Sequence, residues 1–206
     1  PLRVLDAGCG NGRFGVYLWE RLRPAGDAAG AADTWLAYHG VDSSPALLAR
    51  AQAALAGRAG LAVRLEARDL LERPPQTGEY ELVALLGVLH HIPGAPNRRD
   101  LLGGLAARLA PGGLLVFTSW RFYEQLRFRE RIVPWPDDLA GQVEAHDYLL
   151  DWRRGERALR YCHYVDDAEH AALAAATGLE EVLTYRADGA EGALNRYSLL
   201  RRPPNA

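Results

Sequence analysis

The stretch Asp6-Ala7-Gly8-Cys9-Gly10-Asn11-Gly12 places three glycines at alternate positions, directly after a short apolar run. Glycine tolerates positive φ and lets a ligand approach the backbone with no Cβ in the way. Asp6 lies inside the motif, where a carboxylate can receive a cationic amine. Two further acids follow later apolar runs. Asp42 comes after Val41, where a carboxylate can chelate ribose hydroxyls, and Asp69 comes after Ala67-Arg68, where it can receive an adenine amino group. A glycine turn alone is weak evidence; a turn with acids after two successive strands points to a nucleoside-containing ligand. The plainer alternative is that the glycines serve tight packing and the acids cap helices. Asp42 lies 30 residues beyond Gly12. That exceeds the roughly 20 of dinucleotide sites, and the Gly/Ala-rich stretch at 24–33 accounts for the excess.

His90-His91 forms the second chemical feature. Adjacent histidines cannot easily face one ion, and no third ligand is evident, so no metal is expected. The choice is between loop packing and a catalytic or acceptor-orienting role for His91. Cys9 and Cys162 cannot build a disulfide framework or a CxxC zinc site, and read as reduced thiols of a cytoplasmic protein.

These residues need a scaffold, and the signals alternate. Residues 2–7 read as a strand, and 13–23 as a helix with Phe14, Tyr17, Leu18 and Leu22 on one face. Residues 35–41 form a second strand. Ser44-Pro45 is a helix start, with a hydroxyl cap before proline at the first helical position. Residues 61–66 form a third strand, and 80–86 a fourth, apolar enough to be covered on both faces. Residues 100–109 read as a helix stopped by Pro111-Gly112-Gly113, and 114–119 as a fifth strand. A helix at 166–177 and strands at 180–185 and 195–200 follow. The expected fold is α/β: a doubly wound, mostly parallel, seven-stranded sheet of Rossmann type. One domain spans 1–206, with an inserted segment at 121–165.

Composition narrows the class. The 206 residues are 49% hydrophobic and carry 24 basic and 26 acidic groups, which excludes a globally basic nucleic-acid binder. All basic residues are arginine, and no methionine is present, which fits an N-terminal segment having been lost or trimmed. No apolar run approaches the roughly 20 residues that span a bilayer, so no membrane partner is expected.

The successive motifs Asp6–Gly12, Val41-Asp42, Ala67-Arg68-Asp69, Leu86-Gly87-Val88-Leu89-His90-His91-Ile92 and Leu109-Ala110-Pro111-Gly112-Gly113 resemble those of class I S-adenosylmethionine-dependent methyltransferases. The resemblance covers about residues 2–119. It implies S-adenosylmethionine as cofactor, with Asp6, Gly8, Gly10 and Asn11 cradling the methionine part. Asp42 would hold the ribose, Asp69 and Leu70 the adenine, and Leu86-Gly87 would pass near the sulfonium. His90 and His91 would face the acceptor. A nicotinamide dehydrogenase fits less well, since the glycine spacing differs and no lysine is available for a Tyr-x-x-x-Lys pair. A non-catalytic partner subunit on the same fold is the alternative outside enzymes. Transfer to a base nitrogen through Asn-Pro-Pro-Tyr, or to pyrimidine C5 through a cysteine adduct, lacks its residues here.

Charge in the inserted segment is blocked. Residues 121–135 hold four arginines and two acids, 136–151 five acids and no arginine, and 152–161 four arginines and one acid. Two basic blocks with interleaved aromatics could grip phosphates and stack on bases; alternatively they form a lid whose arginines pair with its own acids. A narrower resemblance rests on Leu89-His90-His91-Ile92 with Arg98-Arg99, Val133-Pro134-Trp135 and Arg160-Tyr161-Cys162-His163-Tyr164. These are similar to tRNA wobble-uridine carboxymethyl methyltransferases, which esterify a carboxymethyl group on uridine C5. On that likeness His91, Arg160 and His163 are the catalytic candidates. Arg121, Trp135, Arg153, Arg154 and Tyr161 would bind the acceptor, and a small activating subunit would supply missing tRNA affinity. A carboxylate acceptor is ionised at neutral pH and needs no base, and arginine is its natural grip. A small-molecule carboxylate or hydroxyl is the other expected acceptor.

Overall fold

The computed structural model describes residues 1–23, 34–152 and 158–204. The chain opens with β1 (Leu2–Ala7), α1 (Arg13–Leu22), β2 (Leu36–Asp42), α2 (Pro45–Leu55), β3 (Leu61–Ala67) and β4 (Tyr80–Leu85). A 3₁₀ turn, Leu89–His91, leads to α3 (Ala95–Ala106) and β5 (Leu109–Trp120), and another, Phe122–Glu124, follows β5. The inserted segment contributes α4 (Leu126–Arg129), β6 (Ile132–Val133), β7 (Asp147–Trp152) and β8 (Ala158–His163). The chain then closes with α5 (Asp167–Ala176), β9 (Glu180–Ala187) and β10 (Asn195–Arg201).

Seven strands form one sheet in the order β3-β2-β1-β4-β5-β10-β9. β10 runs antiparallel to both its neighbours and the other strands are parallel to one another, as the sequence led us to expect. The strand order reverses between β1 and β4, and ligands of open α/β sheets bind at the carboxyl ends beside such a switch. α1 and α2 cover β1 and β2 on one face through Leu18, Leu48 and Leu55. α3 and α5 cover the other face through Leu101, Leu102, Leu105 and Leu173. No helix among the described residues is long and apolar enough to cross a membrane.

The bounds of α3 and β5 differ most from the sequence reading. α3 begins five residues earlier than expected, because Pro96 sits in the first turn, where a missing N–H costs nothing. It also ends earlier, and Pro111-Gly112-Gly113 belongs to β5 rather than stopping the helix. Tyr80 pairs with Leu109 and Leu82 with Leu114, so the intervening residues of β5 bulge out of the ladder. A Cβ at Gly113 would meet the carbonyl oxygens of Ala110, Tyr80 and Glu81 at 2.9–3.2 Å, which explains the glycine.

The inserted segment is a second, three-stranded antiparallel sheet, order β6-β7-β8. Phe122, Leu150, Cys162 and Tyr164 form its core, flanked by Trp120 and Phe128. A buried polar network ties it to the main body. Arg98, 1% exposed, donates to Glu169 at 2.7 Å, to Glu144 at 2.8 Å and to the Ile92 carbonyl at 2.9 Å. His163 lies between Asp147 and Glu169, each at 2.6 Å.

Candidate functional site

The glycine loop leaves β1 and is stitched to β2. The N–H groups of Gly8 and Cys9 both donate to the Val41 carbonyl, at 2.7 and 2.9 Å. Gly8 has φ +82°, and a Cβ there would fall 2.2 Å from a Val88 methyl. At Gly10, φ +54°, a Cβ would meet no atom within 4 Å, so the loop presents bare backbone to open space. Asp42 ends β2. Its Oδ2 accepts the Gly10 N–H and its Oδ1 the Ser44 N–H, both at 2.9 Å. Ser44 in turn caps α2, its hydroxyl accepting the Leu47 N–H at 3.3 Å. Asp69 Oδ1 accepts the Leu71 N–H at 2.8 Å. A carboxylate offers about four acceptor positions, so both acids retain capacity for a ligand.

Two adjoining cavities share Gly8, Gly10 and Leu47. One, of about 430 Å³, is lined by Asp42, Arg68, Asp69, Leu70, Val88 and His91 among others. The second, of about 380 Å³, is lined by Asp6, Asn11, Arg13, Phe14 and Leu86. The residues expected around the ribose, adenine and amino-acid portions of a nucleoside ligand thus converge on these two adjoining cavities, which together form a groove. Asp6 is buried and accepts the Tyr38 hydroxyl at 2.5 Å. Burial pushes its carboxyl up to about 7, the Tyr38 hydrogen bond opposes that rise and nearby Asp42 adds to it. Burial, with Asp6 and Asp42, raises the Cys9 thiol to about 12, which leaves it inert.

His91 lines the larger cavity and its Nδ1 lies 3.2 Å from the Tyr161 carbonyl. A carbonyl only accepts, so Nδ1 carries the proton and Nε2 keeps its lone pair. Burial lowers the imidazole pKa below its ordinary value and Arg160 pushes the same way, against the Tyr161 bond. His90 is buried, 4.0 Å from the His91 ring and 5.0 Å from the Trp120 ring by centroid. Burial, His91 and Arg160 hold it neutral, and its Nδ1 has no partner. Arg160 is exposed on β8, with its guanidinium 4.3 Å over the Trp152 ring.

The remaining candidates divide differently. His163 has both ring nitrogens against carboxylates and lines neither cavity of the groove. Tyr161 donates its hydroxyl to Asp147 at 2.7 Å, and Trp135 donates to the Asp147 carbonyl at 3.3 Å. Arg121 is 5% exposed, bonds Glu124 and the Val165 carbonyl, and lies over the Tyr164 ring. It braces the inserted segment instead of facing an acceptor. Arg153 and Arg154 lie outside the described residues. Glu144, Asp147 and His163 bring ligand atoms within 4.8 Å of one another. Their atoms are already committed to Arg98, to the Glu144 and Ala95 N–H groups and to Tyr161.

Sequence reasoning missed Tyr38 and Thr118. Tyr38 looked like one more core aromatic of β2. Thr118, on β5, accepts the Gly87 N–H at 2.8 Å and fixes the turn after β4. Only the spatial adjacency of strands far apart in sequence reveals either. A separate cavity of about 390 Å³ lies beside β2 and β3. Most of its polar side chains are already paired: Arg3 with Glu81, Arg64 with Glu66, and His39 with Tyr80 and Glu66.

The methyltransferase domain family matches residues 5–115, more than half of the chain. No curated protein matches by sequence. Among solved structures, an S-adenosylmethionine-dependent methyltransferase of Methanosarcina mazei is 15% identical, with 98% of this chain and 93% of that chain covered and a TM-score of 0.71. One from Clostridium acetobutylicum is 14% identical, with 98% and 84% covered and a TM-score of 0.70. An amino pentose methyltransferase of Micromonospora echinaspora, involved in calicheamicin biosynthesis and solved with S-adenosylmethionine bound, is 21% identical, with 98% and 83% covered and a TM-score of 0.64. The chain belongs to the methyltransferase domain family, and its fold is the one those S-adenosylmethionine-dependent structures share.

Proposed function

We propose that this methyltransferase acts on the hydroxyl or amine of a small molecule, with His91 as general base. The observation that carries the reading is the orientation of His91. Its Nδ1–H is fixed on the Tyr161 carbonyl at 3.2 Å, and its ring borders the cavity that contains Asp42 and Asp69. The open backbone at Gly10 and the converging acids fit the cofactor. Asp42 would take the ribose hydroxyls, Asp69 and Leu70 the adenine, and Asp6 with Gly8, Gly10 and Asn11 the amino-acid end. When bound, the cofactor supplies an electrophilic methyl group on a sulfonium. Leu70, Val88 and Ile92 line the same cavity and give it an apolar wall. His91, held neutral near pH 7, accepts the acceptor's proton at Nε2 as the nucleophile forms its new bond.

A carboxylate acceptor, including the carboxymethyl group of a tRNA wobble uridine, is the second reading. Exposed Arg160 close to both histidines favours it, since a guanidinium grips a carboxylate. It has less support, because the Arg-Tyr-Cys-His-Tyr stretch is largely committed inside the inserted segment. There Tyr161 bonds Asp147, Cys162 is buried, His163 bridges two acids and Tyr164 bonds Glu124. A small activating subunit belongs to that second reading only. A cytoplasmic location fits both, given two buried free thiols.

The test is transfer of labelled methyl from S-adenosylmethionine into a cell extract separated into small molecules and total tRNA. Label in the small-molecule fraction, lost with His91→Gln, is the expected result. Label in tRNA that His91→Gln leaves intact would overturn the reading in favour of the carboxylate.

A further inference from the structure

We propose that Tyr38 is a positioning residue for the cofactor's amino-acid end: its hydroxyl clamps one oxygen of Asp6 and so presents the other to the ligand's ammonium group. The inference rests on the cofactor reading of the groove given above. Tyr38 stands on β2, 1% exposed, and reaches across to Asp6 near the end of β1, 2% exposed. Its hydroxyl donates to Asp6 Oδ2 at 2.5 Å. Asp6 Oδ1 has no partner among the described residues, while Asp6 lines the smaller cavity of the groove.

The phenol cannot turn away. A Cβ at Gly15 of α1 would lie 2.8 Å from the ring, and one at Gly40 of β2 would lie 3.0 Å from it. Both glycines therefore give the ring its seat, and the wedged ring fixes the position of the hydroxyl oxygen beside Asp6. A carboxylate free to rotate would offer either oxygen to a ligand. One held by a single buried donor presents a defined lone-pair direction, which reduces the ordering cost of binding.

The clamp also sets the charge of Asp6. The neighbouring groups are few: Asp42 at the end of β2, the neutral thiol of Cys9, and Arg13 at the start of α1, which lines the same cavity. Burial and Asp42 favour the neutral carboxyl, and the Tyr38 hydrogen bond favours the anion. An ammonium group pairs with the anion only. Affinity for a ligand carrying that group rises with pH through the Asp6 transition, near 7, and then levels. Removing the hydroxyl moves the transition to higher pH, because the interaction that stabilised the anion is gone.

Calorimetric titration with S-adenosylhomocysteine between about pH 5.5 and 8, for the wild type, Tyr38→Phe and Asp6→Asn, tests this. The thioether 5′-methylthioadenosine, which lacks the amino-acid end, serves as the second probe. In Tyr38→Phe we expect the midpoint to move up by about one pH unit and affinity at pH 7 to fall about five- to tenfold. Asp6→Asn should abolish the pH step, and methylthioadenosine should bind all three proteins equally and without one. An unmoved midpoint in Tyr38→Phe overturns the proposal, as does equal weakening of methylthioadenosine, which would mark Tyr38 as merely structural. A wild type that binds neither ligand would overturn the cofactor reading and the proposal together. Wild-type binding with no Tyr38 effect would overturn the proposal alone.

Discussion

Asp42 accepts the backbone N–H of Gly10 at 2.9 Å, across 32 residues of sequence. One carboxylate oxygen thereby closes the glycine loop onto the end of β2, while the other holds the Ser44 N–H and the start of α2. The residue expected to hold the ribose is thus also the latch that gives the loop its shape. Loop and carboxylate cannot be perturbed separately, and the pairing makes the groove a preorganised site.

The two glycines of the loop should fail differently. Gly8→Ala places a methyl 2.2 Å from the Val88 side chain at a φ of +82°, so the turn itself must move. We expect more than about 1 kcal/mol of lost stability in urea. Gly10→Ala meets no protein atom within 4 Å and points into the groove. It should retain most of the stability, less about 1 kcal/mol for its positive φ, and lose cofactor binding by at least about tenfold. Equal effects of both changes on stability and binding would contradict this division.

His91→Gln should lower kcat by about 10² while S-adenosylhomocysteine affinity stays within about threefold. The base must be neutral to act. Its folded pKa lies below the ordinary 6.5, because of burial first and Arg160 second. The rate should therefore climb as pH rises through a value below 6.5 and be level by about pH 7, with the acid limb lost in the variant. A profile whose acid limb survives in His91→Gln would assign the base elsewhere.

Arg98 should be the most sensitive structural residue at the junction. Arg98→Met leaves Glu144 and Glu169 without their shared cation, at a cost of about 3 kcal/mol in urea unfolding. Burial pushes the Glu169 carboxyl up, but His163 and Arg98 outweigh it, and its folded pKa lies below the ordinary 4.5. A depressed carboxylate stabilises the fold above its unfolded pKa, and this contribution is lost as pH falls through the folded value. The wild type should thus lose stability steeply below about pH 4.5, and Arg98→Met less steeply.

Most of the main sheet was legible because strand burial and turn chemistry are local. The apolar runs at β1, β2 and β4 and the Ser44-Pro45 cap fell where the alternation placed them. The placement of the expected cofactor acids was legible for the same reason: Asp6, Asp42 and Asp69 each lie at or just past the end of a strand. The junction with the inserted segment was not. Whether Arg121 grips a ligand or braces a loop depends on Glu124 and the Val165 carbonyl, 44 residues away. His163 reads as an acceptor-side histidine in the Arg-Tyr-Cys-His-Tyr stretch, yet β7 and α5 bring a carboxylate to each of its nitrogens. Blocked charge in sequence carried no information on which arginines had already found acids.

The central claim is that the groove under Asp42 and Asp69 holds the cofactor, and direct calorimetric titration with S-adenosylhomocysteine tests it. The wild type should bind one equivalent, and Asp42→Ala should bind at least tenfold more weakly, since it loses charge-assisted ribose contacts of about 1.5–3 kcal/mol each and the Gly10 latch. Unchanged affinity in a folded Asp42→Ala protein, or no binding by the wild type, would contradict the account.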